Sequence, residues 1–207
     1  MSNKFTSRQW LKEHESCPYV QKARAEGYRS RAVYKLTELQ EKFNIISPDD
    51  KVLELGAAPG GWSQYVASIV KKNGRIIALD LLEFEPIPFV EQVIGDFTLE
   101  DTHNKLNQTM NQEKFNVILS DMLPNATGHS TVDHLKSSTL VEEVIWFAKN
   151  KLEIGGNLLV KIIQGNELLG IIKDLRKSFL TVKQVKPKAS RARSNETFIY
   201  AKHLKGE

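Results

Sequence analysis

The stretch VLELGAAPGGWS, residues 52–63, decides the fold of this chain. An apolar run ends at Gly56, and four residues later the pair Gly60-Gly61 opens a segment with helix-forming residues. Glycine lets backbone N–H groups approach a ligand closely, and the start of a helix adds the positive end of its dipole. The stretch therefore predicts a strand, a ligand-binding turn and a helix, in that order.

The spacing of the glycines indicates the kind of ligand. The turn reads G-x-x-x-G-G, whereas dinucleotide-binding proteins use G-x-G-x-x-G. A shorter turn flanked by acidic Glu54 suits a ligand that ends in an amino-acid carboxylate rather than a pyrophosphate. We therefore expect S-adenosylmethionine (SAM).

The composition is that of one globular domain. The chain has 207 residues, 41% of them hydrophobic and 26% charged, which suffices for one α/β domain with short extensions. A single cysteine, Cys17, excludes a disulfide framework and a cysteine zinc site, and the five histidines lack ligand spacing, so we predict no metal. Because no apolar run reaches the ~20 residues of a membrane span and residues 1–5 do not resemble a signal peptide, we expect a cytoplasmic protein with no membrane partner.

The charge is divided unevenly along the chain. Residues 1–36 carry eight Lys or Arg and three acidic side chains, and residues 173–205 carry ten basic side chains and two acidic ones. Residues 37–172 hold eleven basic and nineteen acidic side chains. Either the ends only improve solubility, or they converge on one face and bind a polyanion such as RNA. The candidate RNA contacts are arginines, which pair with phosphates in a bidentate manner: Arg24, Arg29, Arg31, Arg191 and Arg193.

Strand and helix patterns alternate from residue 30 onward. Alternation of this kind predicts an α/β fold with a doubly wound, mostly parallel sheet of seven strands, closed by a C-terminal antiparallel strand. We expect residues 1–29 to form a basic extension packed on a single domain of residues 30–207. The predicted helices are 30–43, 60–71, 99–110, 131–152 and 166–179, and the predicted strands are 51–55, 75–79, 89–94, 115–120, 157–163, 181–186 and 196–202.

Three predicted strands end in a carboxylate: Asp80, Asp96 and Asp121. Ligands of doubly wound sheets bind at the carboxyl ends of the strands. Asp80 is suited to the ribose hydroxyls of an adenosine ligand, Asp96 to the adenine amino group, and Asp121 to the reacting end of the cofactor. Each alone fits helix capping or loop solvation equally well. Their shared position beside the glycine turn favours a ligand site.

Lys161 lies within the apolar run LLVKII, residues 158–163. Lysine is almost never buried without a partner, so we expect its amine to face Asp121 on the neighbouring strand. The alternative is an edge strand with Lys161 in solvent. Two further charges have no clear position: Lys35 on the first amphipathic helix, and Glu196, which either acts in a site or neutralises Arg193.

Five motifs occur in order along the chain: GAAPGGWSQ at 56–64, SDM-x-PN at 120–125, VK at 160–161, QG at 164–165 and SRARS at 190–194. Together they resemble the FtsJ/RrmJ family of RNA 2′-O-ribose methyltransferases, from about Ser7 to the last strand. There are two departures from the family pattern. Glu54 stands where the family has Asp, and Asn166-Glu167-Leu168 lacks a second glycine.

The resemblance implies a cofactor, a site and a substrate. The cofactor is SAM, contacted by Gly60, Trp62, Asp80, Asp96 and Asp121, with Gly56, Ala57, Pro59 and Gly61 completing the turn; Trp62 fits a core position equally well. The implied catalytic residues are Lys35, Asp121, Lys161 and Glu196. The implied substrate is a uridine 2′-hydroxyl in the peptidyl-transferase region of large-subunit rRNA, within the assembled large ribosomal subunit. We expect a monomer with no obligate protein partner.

Other functions remain open on the sequence. Lys161 acts either as a charged group that stabilises an alkoxide or as a neutral base. The chain is alternatively a methyltransferase of another RNA, a small molecule or a protein, or a non-catalytic ribosome-assembly factor that binds SAM. The missing G-x-G-x-x-G makes a nicotinamide-dependent oxidoreductase remote, and neither a nuclease carboxylate cluster nor a P-loop is found.

Overall fold

The structure is a computed structural model that describes residues 15–124, 130–191 and 193–206, with the side chains of residues 130–133 left out. Residues 1–14 of the predicted extension, Asn125 of the SDM-x-PN motif and Ala192 of the SRARS motif lie outside the described residues. No described helix is long and apolar enough to cross a membrane.

One seven-stranded sheet in the order β3-β2-β1-β4-β5-β7-β6 forms the centre of the molecule. Pairs β1–β2, β1–β4, β2–β3 and β4–β5 are parallel, and β7 is antiparallel to both β5 and β6. The strands are β1 (Lys51–Leu55), β2 (Arg75–Asp80), β3 (Val90–Ile94), β4 (Phe115–Ser120), β5 (Leu152–Ile163), β6 (Phe179–Val185) and β7 (Glu196–Leu204). The predicted fold class and the closing hairpin are confirmed.

Six described helices accompany the sheet: α1 (Pro18–Ala25), α2 (Val33–Phe43), α3 (Gly61–Ile69), α4 (Glu100–Thr109), α5 (Ser130–Lys151) and α6 (Leu168–Ser178). Helix α2 buries Val33, Leu36 and Leu39, the apolar face that its spacing predicts. Helix α1 lies in the predicted basic extension, and Pro18 in its first turn is a recognised start signal.

Both faces of the sheet are buried, as a doubly wound fold requires. Leu53, Leu55 and Ile118 belong to one core cluster, whereas their neighbours Val52 and Val117 belong to the other. This separation follows from the strand geometry, since successive side chains point to opposite faces. The apolar runs of β1 and β4 therefore place both strands in the middle of the molecule.

Strand β5 differs most from its prediction. It begins at Leu152, five residues earlier than expected, and its register with β4 shifts between Phe115 and Val117. The pair Gly155-Gly156 lies inside this strand, at the irregular part of the ladder. Glycine within a strand commonly marks such an irregularity.

Backbone hydrogen bonds align the carboxyl ends of the central strands. The N–H of Gly56 donates to the Leu79 carbonyl at 2.9 Å, and the N–H of Asp121 donates to the Leu55 carbonyl at 3.1 Å. The residues that follow β1, β2 and β4 are consequently held at one edge of the sheet.

Candidate active site

The glycine turn allows two strand ends to approach each other closely. Gly56 has a φ of 79°, and a Cβ atom there would lie 2.8 Å from Cγ of Met122. Only glycine adopts this conformation without strain and leaves room for the segment after β4. Gly60 and Gly61 then begin α3, as the sequence predicts.

A cavity of about 740 Å³ opens at this edge of the sheet. Four predicted cofactor residues line it: Gly56, Asp80, Asp96 and Asp121. Sequence reasoning missed one whole wall, the face of α5 that carries Leu135, Lys136, Thr139, Leu140 and Glu143. Their spacing of three and four residues is that of one helix face, but the sequence contains no sign that this face meets a ligand.

Asp80 and Asp96 shape the cavity wall as well as line it. Asp80 accepts backbone hydrogen bonds from Ala58 and Leu82, each at 2.9 Å. Asp96 Oδ1 accepts the backbone N–H of Thr98 at 2.9 Å and its hydroxyl at 2.8 Å. A carboxylate has about four acceptor positions, so both side chains retain capacity for ligand hydroxyl or amino groups.

Trp62 lies in the core. Its side chain is 3% exposed, its Nε1 donates to the Ala32 carbonyl at 2.7 Å, and its ring lies 5.9 Å from that of Phe198. The structure agrees with the alternative that Trp62 occupies a core position. A cofactor contact stays a prediction only for the backbone of Trp62.

Lys161 forms an ion pair with Asp121, which lines the cavity. Lys161 Nζ lies 2.9 Å from Asp121 Oδ1 and also donates to the Asp121 backbone carbonyl. The side chain of Lys161 is only 6% exposed. Since β5 pairs with β4 in parallel register, Val160 opposes Ser120 and the next residues, Lys161 and Asp121, come together. The expected burial and the expected partner of Lys161 are both found.

Lys35 and Glu196 complete a network around the same carboxylate. Lys35 Nζ lies 2.9 Å from Glu196 Oε1 and 3.8 Å from Asp121 Oδ1. Burial raises the pKa of Glu196, but the Lys35 charge and hydrogen bond, Ser190 and the Lys161 charge outweigh it and hold the pKa below its ordinary value. The structure thus brings together the four residues of the expected tetrad.

Glu54 lies beneath the glycine turn and is 1% exposed. Its Oε2 accepts the Ser63 hydroxyl at 2.6 Å. Burial, helped by the nearby charges of Asp121 and Asp80, raises its pKa to about 8 in spite of that hydrogen bond.

Arg29 and Arg31, which are both proposed to contact RNA, donate hydrogen bonds within the protein. The guanidinium of Arg29 donates to the carbonyls of Pro59, Glu85 and Pro86 at 3.3, 2.5 and 3.2 Å. Arg31 donates to Cys17 Sγ at 2.8 Å and to the Ala189 carbonyl. Arg24 is exposed on α1, Arg193 is exposed, and Arg191 is partly buried. RNA contact by any of the five stays a prediction.

The fold and the cavity define a class of protein. A doubly wound sheet with a glycine turn and carboxylates at successive strand ends is the architecture of SAM-dependent methyltransferases. Among the described residues, no group of three His, Cys, Asp or Glu side chains is arranged to hold a metal ion.

Comparison with known proteins identifies the family. The model of the FtsJ-like methyltransferase family matches residues 28–204. The chain is 44% identical over 206 residues to Ribosomal RNA large subunit methyltransferase E of Francisella tularensis subsp. tularensis, with 100% of both chains covered. It is 46% identical over 202 residues to the protein of the same name from Legionella pneumophila, with 98% of both covered. The chain belongs to the FtsJ-like methyltransferase family, whose methyl donor is SAM.

Two solved methyltransferase structures have the same fold as this chain. A Plasmodium falciparum protein described as a ribosomal RNA methyltransferase superposes with a TM-score of 0.78 at 29% identity, covering 87% of this chain and 100% of that one. A methyltransferase from Streptococcus mutans in complex with SAH has a TM-score of 0.53 at 17% identity, covering 81% and 97%, and shares the fold.

The residues present fit SAM. The cavity is within the size range of small-molecule sites, and Asp80 and Asp96 keep free acceptor positions for ribose hydroxyls and an adenine amine.

Proposed function

We propose that this protein transfers a methyl group from SAM to the 2′-hydroxyl of a uridine in large-subunit rRNA, acting on the assembled large ribosomal subunit in the cytoplasm. The names of the full-length relatives support the rRNA of the large subunit as substrate. One observation carries the chemistry. Asp121 lines the cofactor cavity and also holds Lys161, so a buried amine lies beside the reacting end of the cavity.

Methyl transfer to a ribose hydroxyl poses a problem of positioning and charge. When bound, SAM supplies a methyl group on a sulfonium centre that is open to in-line attack. The ribose hydroxyl is a poor nucleophile until it loses its proton. Lys161 either stabilises the negative charge that develops on the ribose oxygen, worth about 3–4 kcal/mol in comparable sites, or accepts the proton. Asp121 fixes the direction of that amine through side chain and backbone.

Lys35 and Glu196 hold the target ribose and balance the charge. Their ion pair lies next to Asp121, on the side of the network formed by α2 and the start of β7. A carboxylate with a lowered pKa stays ionised at neutral pH, so Glu196 is an acceptor for a ribose hydroxyl. The network thus offers two amines and two carboxylates to a single hydroxyl-bearing sugar.

The domain arrangement follows the same proposal. Residues 30–207 form one methyltransferase domain, and residues 1–29 form a basic extension packed on it. The described part of the extension supports this division, since Ala23 of α1 belongs to a small core cluster with Val33, Tyr34 and Ala189. The exposed arginine of α1, Arg24, is the extension's best-placed candidate for a phosphate.

The test is transfer of labelled methyl from SAM to purified large ribosomal subunits from cells that lack this protein, followed by mapping of the modified nucleotide. We expect one 2′-O-methyluridine, absent with the Lys161→Ala variant. Transfer to free rRNA but not to subunits would overturn the assembled-subunit part of the proposal. SAM binding without transfer to subunits, precursors or free rRNA would favour another acceptor or a non-catalytic role in ribosome assembly.

A further inference from the structure

A polar side-chain contact links helix α5 to the loop before helix α6. His134 Nε2 on α5 lies 2.6 Å from Glu167 Oε2, just before α6. The side chains are 22% and 34% exposed, yet these two atoms are buried, and within the described residues neither makes a hydrogen bond of normal geometry, either with the other or with a third group. Leaving one such group unpaired typically costs about 1–3 kcal/mol, so each atom depends on the other.

The imidazole of His134 also occupies the space above Gly165. A Cβ atom at Gly165 would lie 1.6 Å from His134 Nε2 and 2.0 Å from Cε1. The absence of a side chain at Gly165 therefore lets His134 lie directly on the loop of residues 164–167. This loop lies in the segment where the sequence departs from the family pattern, since Asn166-Glu167-Leu168 lacks a second glycine.

The loop of residues 164–167 borders the tetrad. It leaves β5 three residues after Lys161, and the N–H of Gln164 donates to the Asn195 carbonyl at 2.8 Å, immediately before Glu196. His134 precedes Leu135, which lines the cofactor cavity. The His134–Glu167 pair thus connects the helix that forms the cavity wall to the loop that flanks Lys161 and Glu196.

We propose that the His134–Glu167 pair positions the loop of residues 164–167 against the RNA substrate, so that the target ribose is guided to the tetrad. The inference rests on the proposed RNA methyltransferase function. Both residues are positioning residues, because they act through the loop rather than on the reacting atoms. Their loss should impair use of the RNA substrate and leave SAM binding unchanged.

The chain contains a matched control. Lys149 and Asp174 also connect α5 to α6, with Nζ and Oδ2 2.6 Å apart, but they lie nearer the opposite ends of these helices. If the His134–Glu167 contact only held α5 and α6 together, its loss would have the same effect as the loss of the Lys149–Asp174 ion pair. The variants are therefore His134→Ala and Glu167→Gln, compared with Lys149→Ala and Asp174→Asn.

The first measurement is steady-state methylation of large subunits from cells lacking this protein, with SAM affinity measured separately by calorimetry. We expect His134→Ala and Glu167→Gln to raise the KM for subunits, or to lower kcat, by about tenfold, a modest loss for misplacing a substrate by less than 1 Å. The dissociation constant for SAM should stay within twofold, and the control variants should resemble the parent. Equal effects of all four variants, or a loss of SAM affinity, would overturn the inference.

A second measurement does not depend on activity. Amide hydrogen exchange of the peptide spanning residues 164–168 should accelerate in His134→Ala and Glu167→Gln but not in the control variants. Gly165→Ala should also accelerate exchange in the parent, and much less in the His134→Ala background, where the added methyl group has room. If the parent protein methylates no RNA, the proposed function is wrong. Hydrogen exchange, and the affinity of the variants for large subunits, would still test whether the His134–Glu167 pair positions the loop. Unchanged exchange in His134→Ala would refute that role.

Discussion

The two halves of the sheet hold their polar groups in different ways. In the glycine-turn half, β1 to β3, Asp80 and Asp96 accept backbone N–H groups from the turns beside them. In the ion-pair half, formed by β4, β5 and β7 with α2, four charged side chains from four separate parts of the fold are held together by long-range ion pairs. The first half is shaped by local chain geometry, whereas the second exists only when the whole fold is complete. Substitutions should therefore separate cofactor binding from methyl transfer.

Lys161→Ala should separate methyl transfer from cofactor binding more than any other substitution. Removal of the buried amine leaves Asp121 with Lys35 alone and deprives the ribose oxygen of its partner, so methyl transfer should fall by about 10³-fold or more. The SAM dissociation constant should change by no more than a few-fold, because the glycine-turn half is untouched. Single-turnover transfer and calorimetry measure the two quantities, and exposed Lys177→Ala serves as the control. Transfer within tenfold of the parent would remove Lys161 from the mechanism.

Asp80→Ala tests the role of the glycine-turn half in binding SAM. Ala58 and Leu82 would lose their acceptor and the ligand would lose a carboxylate, which should weaken SAM binding by about 30- to 100-fold, or roughly 2–3 kcal/mol. The single-turnover rate at saturating SAM should remain within tenfold of the parent. Glu91→Gln is a suitable control, because that carboxylate pairs with Arg75 on the neighbouring strand away from the cavity. Unchanged SAM affinity would contradict the assignment of Asp80 to the cofactor.

Glu54→Gln should change how stability depends on pH. The folded-state pKa of about 8 exceeds the ordinary value of 4.5, so between these values the folded protein retains a proton that the unfolded chain has lost. The free energy of unfolding should therefore decrease as pH rises through this range, by up to about 1.4 kcal/mol per pH unit from this group. Glu54→Gln should flatten that slope, measured by urea unfolding at several pH values between about 5 and 8.

Ser63→Ala is the matched variant. It removes a hydrogen bond that lowers the pKa of Glu54, so it should extend the slope to higher pH. A slope of stability against pH that neither change affects would exclude Glu54 as its source.

Arg29→Lys should have the smallest effect and should fall on the cofactor side of the comparison. A lysine cannot donate to three carbonyls in the planar geometry of a guanidinium, so the turn at Pro59 should loosen and SAM affinity should fall by about two- to fivefold. Arg24→Lys is the control in the same basic segment. If Arg29→Lys instead lowers RNA affinity alone, its predicted role as a phosphate contact is correct and its internal hydrogen bonds are secondary.

The contrast between local and long-range contacts also explains which site residues the sequence could predict. The glycine turn and the carboxylates at strand ends could be located because each signal lies within a few residues of the strand end that it marks. Lys161 could be matched with Asp121 because parallel strands bring equivalent positions together. Lys35 and Glu196 were placed only through the family resemblance, since no local pattern indicates that residues 161 positions apart share an ion pair.

Other features were beyond sequence reasoning for the same physical reason. The His134–Glu167 pair depends on how two crossover helices sit on the sheet. The hydrogen bonds of Arg29 within the protein depend on carbonyls from two separate loops. Arginine-rich composition indicates a polyanion partner in general, but it does not distinguish a guanidinium that binds RNA from one that ties the chain to itself.

The position of β7 has a consequence for how this protein is made. Residues 196–204 are synthesised late, yet they insert between β5 and β6 and bring Glu196 to Lys35. While these residues are still inside the ribosomal exit tunnel, the nascent chain can form the glycine turn but has an open edge on β5, no partner for β6 and an incomplete tetrad. Because N-terminal parts of a chain fold first during translation, the sheet closes only after residues 196–204 emerge. The tetrad, on which the proposed methyl transfer depends, therefore cannot assemble before residues 196–204 have left the exit tunnel.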